Sequence, residues 1–197
     1  RLIAKNPNLT TTGLRLFQLD EWVGLAEHRH STTHYIEKEV RVDWGVPPEN
    51  AHYFSSDLSP INTKTEAEDA AALMQNSLDS QGPLDLLILG MGKNGHLGFM
   101  EPGENWPPQE CYVSTLAKST QQHEMIETEE SPPEFGVTMG LKSILEAKEI
   151  LFLVTGAGKS EVYAEWCKKD ISPTLPASIL WKHPAVFCMT DLQDARI

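Results

Sequence analysis

No apolar run in the 197 residues approaches the roughly 20 that a membrane helix needs, and the opening RLIAKNPNLTTTG carries no signal-peptide-like apolar core. Membrane partners are therefore not expected. Basic residues are scarce: 16 Lys and Arg stand against 28 Asp and Glu, a formal charge of -12. Such a field repels polyanions, which argues against nucleic acid and anionic lipid surfaces but leaves local binding of a small anion open. Cysteine is rare too. Cys111, Cys167 and Cys188 are odd in number and lack C-x-x-C spacing, so they read as reduced thiols of a cytoplasmic protein. Internal repeats and low-complexity tracts are missing as well. What is present is a 40% hydrophobic chain of a length that suits one domain, expected over residues 1–197.

Short runs rich in branched and aromatic residues recur along it: LRLFQL (14–19), AHYFSS (51–56), LDLLILG (84–90), CYVSTL (111–116), EILFLVTG (149–156) and AVFCMT (185–190). Each reads as a strand. Between the second and third, EAEDAAALMQNSLDSQG places Ala70, Leu73, Met74 and Leu78 at helical spacing, with Gly82 and Pro83 as a stop signal. GLKSILEAKE and KSEVYAEWCKKD read as helices on either side of the fifth strand. Strands apolar on both faces that alternate with helices predict a doubly wound α/β fold, a mostly parallel sheet with helices on both faces. The proline clusters PGENWPPQE and SPPEF predict loops near strand ends.

The stretch LDLLILGMGKNGHLGFMEPG, residues 84–103, is a strand followed by G-x-G-x-x-G. That pattern marks a dinucleotide site only when a helix follows, so that amides and helix dipole meet a pyrophosphate. Here Gly95 leads into His96, Leu97, Gly98 and a proline-rich continuation, which disfavours such a helix. TGAGKS, residues 155–160, imitates a P-loop, but Leu153 stands where its first glycine belongs. A glycine-bearing turn with Lys159 beside a helix start instead suits a single phosphate, or is an ordinary strand-to-helix turn with a solvated lysine. Unusual polar residues thus follow three strands: Asp20 and Glu21, His96 and Glu101, and Lys159. In open α/β sheets such ends converge on one crevice, giving a base, an imidazole with a carboxylate and an anion anchor for proton transfer on a phosphorylated small molecule. Without further context Asp20 and Glu21 read equally well as helix caps. His28, His30 and His34 lack a ligand pattern for a metal, His183 reads as structural, and the tryptophans Trp22, Trp44, Trp166 and Trp181 read as packing residues.

Taken together and in order, LDEWVGL (19–25), LGMGKNGHLGFMEPG (89–103), LVTGAGK (153–159) and PASILWKH (176–183) resemble the glucosamine-6-phosphate deaminase and 6-phosphogluconolactonase family over nearly the whole chain. KNGH and STQQHEM (119–125) are most similar to galactosamine-6-phosphate deaminase/isomerases. The resemblance implies conversion of galactosamine 6-phosphate and water to tagatose 6-phosphate and ammonium, or of glucosamine 6-phosphate to fructose 6-phosphate. It implies no metal or organic cofactor, a small-molecule sugar phosphate as partner, and either a monomer or a homo-oligomer. By motif position, Asp20 is the general base between carbon 2 and carbon 1, His96 assists ring opening, Glu101 holds the imidazole and Lys159 binds the phosphate. Glu21, Gly90, Gly92, Gly95, Thr155, Gly156 and Gly158 are implied to border the substrate.

The chain departs from the glucosamine enzymes of that family in three places. Asn94 replaces an aspartate, removing a negative charge that would favour the protonated imidazole. The stretch around His123 lacks an expected phosphate-binding arginine, with Gln122 and His123 as substitutes. The family's opening βα unit, whose Gly-, Ser- and Thr-rich loop cradles phosphate, has no counterpart before Arg1, so the sequence is expected to be N-terminally incomplete. Two other readings remain: a 6-phosphogluconolactonase, disfavoured by Glu101 and the DEW wording, and a non-catalytic sugar-phosphate sensor, disfavoured by Asp20, His96 and Glu101 occurring together.

Overall fold

The computed structural model describes residues 10–25, 30–55, 58–126 and 129–192. In chain order these form β1 (Leu16–Phe17), β2 (Asp20–Val23), α1 (Thr32–Ile36), β3 (Ala51–His52), α2 (Lys64–Gln81), β4 (Leu86–Gly90), β5 (Tyr112–Thr115) and β6 (Phe135–Thr138). They continue with α3 (Leu141–Leu145), β7 (Glu149–Val154), α4 (Ser160–Trp166) and β8 (Val186–Thr190). The result is an α/β, Rossmann-like arrangement in which β4, β7 and β8 run parallel in that spatial order.

Two features differ from the sequence expectation. The sheet is less uniformly parallel, because β2, β6 and β5 form an antiparallel group and β1 pairs with β3 alone. β2 and β6 are the strands that escape a sequence reading: each is only four residues, DEWV directly behind the run LRLFQL and FGVT directly behind the prolines of SPPEF. The second difference is that only one face of the parallel group is covered among the described residues. Leu87, Leu89, Ile150, Phe152 and Val154 face a core closed by Tyr163, Trp166, Ala177, Ile179 and Leu180. On the opposite face, Leu86, Ile88, Phe187 and Met189 are exposed.

Helix α2 begins where a capping box satisfies its first amides. The Thr63 hydroxyl accepts from the Glu66 amide, and the Glu66 carboxylate accepts from the Thr63 amide, both at 3.2 Å. It ends at Gly82, whose φ of +82° suits glycine and whose amide returns to Leu78. Its buried stripe is Ala67, Ala70, Ala71, Met74, Gln75 and Leu78, packed on Val137 and Met139 of the antiparallel group. Leu73 lies outside this stripe and is exposed, since the helix presents 70, 74 and 78 inward and turns 73 away. Burying Met74 and Leu78 stabilises the packing by about 1.5–3 kcal/mol each.

These layers place the start of β2 against the carboxyl ends of β4 and β7. Asp20 pairs in register with Thr138 of β6, and the Met139 amide donates to the Leu19 carbonyl at 2.9 Å. The chain reversal after β4 and the loop after β7 then open onto the same space.

Candidate active site

That space is a cavity of about 670 Å³. Its walls include Asp20 and Trp22 from β2, Gly90, Gly92, Lys93, Asn94 and His96 after β4, Ser119 through Met125 in part, and Thr155 through Lys159 after β7. The strand ends thus converge as their polar residues suggest, with the acid–base groups and the lysines in one concavity.

The glycines after β4 are required by packing. The amide of Gly92 donates to the His96 carbonyl and that of Gly95 to the Gly92 carbonyl, both at 3.0 Å, closing a tight turn. A Cβ on Gly92 would fall 2.4 Å from the His96 ring, so the imidazole rests directly on this backbone. Gly95 has φ +88°, and a side chain there would meet Leu175 at 2.3 Å. Gly95 and Glu101 stand behind the cavity wall, and no helix follows the turn.

His96 is held from behind. Its Nδ1 lies 3.2 Å from the Thr120 hydroxyl and 3.6 Å from Oε2 of Glu101. Glu101 accepts from Nδ2 of Asn94 at 2.8 Å and from the Ala117 amide at 3.2 Å, while Oδ1 of Asn94 receives the His96 amide at 3.2 Å. Burial opposes the charged form of Glu101, but the His96 imidazole, the Thr120 hydroxyl and the Asn94 amide around it outweigh that and hold the carboxyl below its ordinary range. An asparagine suits position 94 here because it donates to that carboxylate, which an aspartate cannot do.

Asp20 and Glu21 have opposite surroundings despite being adjacent, because strand residues alternate faces. The Asp20 carboxylate faces the cavity and accepts no hydrogen bond from the described residues. Burial, with Glu21 adding like charge and His96 counteracting, pushes its pKa up to about 7. Glu21, expected to border the substrate, is instead buried away from the cavity wall. Its oxygens accept from the Trp22, Thr32 and Thr33 amides at 2.8, 3.1 and 2.7 Å and from the Ser31 hydroxyl at 2.8 Å. It therefore ties the start of α1 to β2, the capping alternative for this residue.

At the other end, Gly156 adopts φ +93° and donates its amide to Oδ1 of Asp191 at 2.9 Å. Thr155, Gly158 and Lys159 line the wall, joined by Gln122 and His123. Lys93 reaches the same place: a Cβ on Gly158 would lie 3.6 Å from Cε of Lys93. Burial and the charge of Lys93 hold Lys159 below its ordinary value, partly offset by Asp191. Neither lysine has an ion-pair partner among the described residues. Sequence reasoning passed over Lys93 and Thr120, although KNGH and STQQHEM contain them; nothing local distinguishes either from a solvated residue.

Among the described residues no group of His, Cys, Asp and Glu is arranged to hold a metal. His28 lies outside them, and His30 is bonded through Nδ1 to Glu129 at 2.7 Å. His183 is structural, with Nε2 on the Ala147 carbonyl at 2.7 Å and Nδ1 accepting the Ala185 amide at 3.1 Å. No described helix is long and apolar enough to cross a membrane.

Residues 1–188 match the family model of glucosamine-6-phosphate isomerases/6-phosphogluconolactonase. The chain belongs to this family. A relative from Escherichia coli (strain K12), named "Putative deaminase AgaI", is 40% identical over 177 residues, covering 89% of this chain and 67% of its own length. The glucosamine-6-phosphate deaminase of Shouchella clausii is 34% identical over 197 residues, 98% of this chain and 77% of its own. Among solved structures, a monomeric glucosamine-6-phosphate deaminase of the NagB superfamily superposes with TM-score 0.80 at 29% identity, covering 93% of this chain and 74% of that one. The 6-phosphogluconolactonase of Trypanosoma brucei shares the fold at TM-score 0.65 and 20% identity, covering 90% of this chain and 71% of that one.

Proposed function

We propose that this family member is an amino-sugar phosphate deaminase/isomerase, converting a hexosamine 6-phosphate and water to a ketose 6-phosphate and ammonium. The observation that carries the reading is one cavity with a carboxylate of raised pKa, a buttressed imidazole, and two lysines, the carboxylate without a hydrogen bond and the lysines without an ion pair among the described residues. The deaminase relatives and the deaminase structure support it, whereas the lactonase likeness extends only to the fold.

In this reading the substrate phosphate lies at the Lys159 end, with Lys93 supplying a second charge where the sequence has no arginine. Asp20 removes the proton from carbon 2 of the open-chain sugar and returns it to carbon 1. A base with pKa near 7 suits this task, because it is available at neutral pH and still strong enough to accept the proton. His96, backed by Glu101, exchanges the proton at the ring oxygen during opening. Preference for the galacto epimer is the finer reading, resting on the KNGH and STQQHEM wording.

Ammonium release from galactosamine 6-phosphate and glucosamine 6-phosphate, assayed in parallel, tests this directly. Faster release from the galacto substrate, reduced on the order of 10³-fold by Asp20→Asn, is the expected result. Hydrolysis of 6-phosphogluconolactone without ammonium from either amino sugar would replace this reading with the lactonase.

A further inference from the structure

We infer that Gln18 is a positioning residue for Asp20: its carboxamide takes the place of a strand peptide and holds the backbone of the base from behind the cavity. The catalytic meaning of this rests on the deaminase reading, whereas the bridge itself is a matter of geometry.

Gln18 stands between β1 and β2, is 1% exposed and lies outside the cavity wall. β1 pairs with β3, and β2 with β6, in separate groups. The Met139 amide donates to the Leu19 carbonyl, so the next pair along, Asp20 opposite Thr138, is a non-hydrogen-bonded one. The Asp20 carbonyl therefore points away from β6, towards an edge where no described strand lies beside it; Ile61 meets β2 only at Val23. A backbone carbonyl in that position needs another partner.

The Gln18 side chain supplies it. Nε2 donates to the Asp20 carbonyl at 2.9 Å, and Oε1 accepts the amide of Phe54, from the chain beyond β3, at 2.9 Å. A carbonyl only accepts and a backbone amide only donates, so both ends of the carboxamide are assigned. The Gln18 amide continues the β1–β3 pairing by donating to the His52 carbonyl at 3.0 Å. One side chain thus spans from the first group to the second as a peptide of an intervening strand would. Nε2 also lies 3.1 Å from Oε2 of Glu21 and 2.8 Å from the Thr32 hydroxyl, which itself donates to the Asp20 carbonyl, and the Thr33 hydroxyl donates to Oε1 at 3.2 Å. The main chain of Asp20 is gripped by donors from two elements, while its carboxylate accepts no hydrogen bond from the described residues. The direction in which that carboxylate points is therefore set through its backbone, and the backbone through Gln18.

Ammonium-release kinetics and amide hydrogen exchange test this in the wild type, Gln18→Met, Gln18→Asn and, as a control, Leu78→Ala, a core truncation in α2 outside the cavity wall. Gln18→Met keeps the length and loses both bonds. Gln18→Asn keeps the carboxamide but is one methylene too short to reach Phe54 and Asp20 together. Both are expected to lower kcat about 10- to 100-fold with KM within about 2-fold, because the base is displaced while the lysine end is untouched. Leu78→Ala should lower Tm and leave kcat within about 2-fold. The Phe54 amide should be protected in the wild type and exchange at least about 10-fold faster in Gln18→Met. An unprotected Phe54 amide in the wild type would overturn the bridge, even if the variants fail to fold. Wild-type kcat in folded Gln18→Met or Gln18→Asn, or an equal loss in Leu78→Ala, would overturn the positioning role. Absence of ammonium release by the wild type would instead strike the deaminase reading, while Phe54 exchange still judges the bridge.

Discussion

Asp20, the proposed base, carries a cost in stability. Its folded pKa of about 7 lies above the ordinary 3.8, so ionising it weakens the fold. That cost is nil below pH 3.8, grows between there and about 7, and is complete above 7. Asp20→Asn should therefore raise stability by about 2 kcal/mol at pH 8, discounted for the side facing the cavity, and leave it unchanged at acid pH. Thermal unfolding at both pH values checks this, and activity of the wild type should climb as pH rises through about 7. Asn94 offers the complementary case. Asn94→Asp would oppose two carboxylates across the present 2.8 Å contact and delete a donor to Glu101. A loss of about 1–2 kcal/mol is expected at pH 7, narrowing at pH 4 where the pair can share a proton, as measured by denaturant unfolding.

Elements matter at this site through the turns that join them. The reversal after β4 works because Gly92 lets the imidazole lie on bare backbone. Gly92→Ala should leave the far-UV spectrum intact while lowering ammonium release by about 100-fold, since the Cβ displaces the ring and misplacement near 1 Å is costly. Glu21→Gln acts on another junction. It replaces a charged acceptor at the start of α1 by a neutral one, with an expected loss of about 1–3 kcal/mol in chemical denaturation. Because Glu21 also pushes Asp20 upward, the acid limb of the pH–rate profile should move to lower pH in the same variant. A merely destabilised protein would not show that shift.

For the molecule as a whole, the outer face of the parallel group is its most unusual surface. Ile88, Leu151 and Phe187 stand abreast across β4, β7 and β8, and Leu153 and Met189 form the next row. Ile88 and Phe187 are 50% and 58% exposed, more than isolated surface apolar residues explain. This chain should therefore bind an environment-sensitive hydrophobic dye, and the double variant Ile88→Lys, Phe187→Lys should reduce that fluorescence several-fold without loss of ammonium release. The acidic balance of the chain leaves the cavity's lysine end as a local exception, where two ammonium groups lie close in a protein of formal charge -12.

The sequence by itself determined the α/β class, the strand–helix alternation around β4, β7 and β8, and the three loops that form the cavity. These are written in local periodicity and in turn chemistry, which act over a few residues. The same local signals stop short where the context is long-range: nothing in DEWV or FGVT announces that the two pair as antiparallel neighbours. Only the tertiary structure decided that Asp20 accepts no hydrogen bond from the described residues while its neighbour accepts several, because that depends on what β6 and α1 bring to opposite faces of one strand. It likewise brought Lys93 to the same cavity end as Lys159 and Thr120 to His96, pairs 66 and 24 positions apart, whose meaning lies in proximity and not in either residue's own surroundings in the chain.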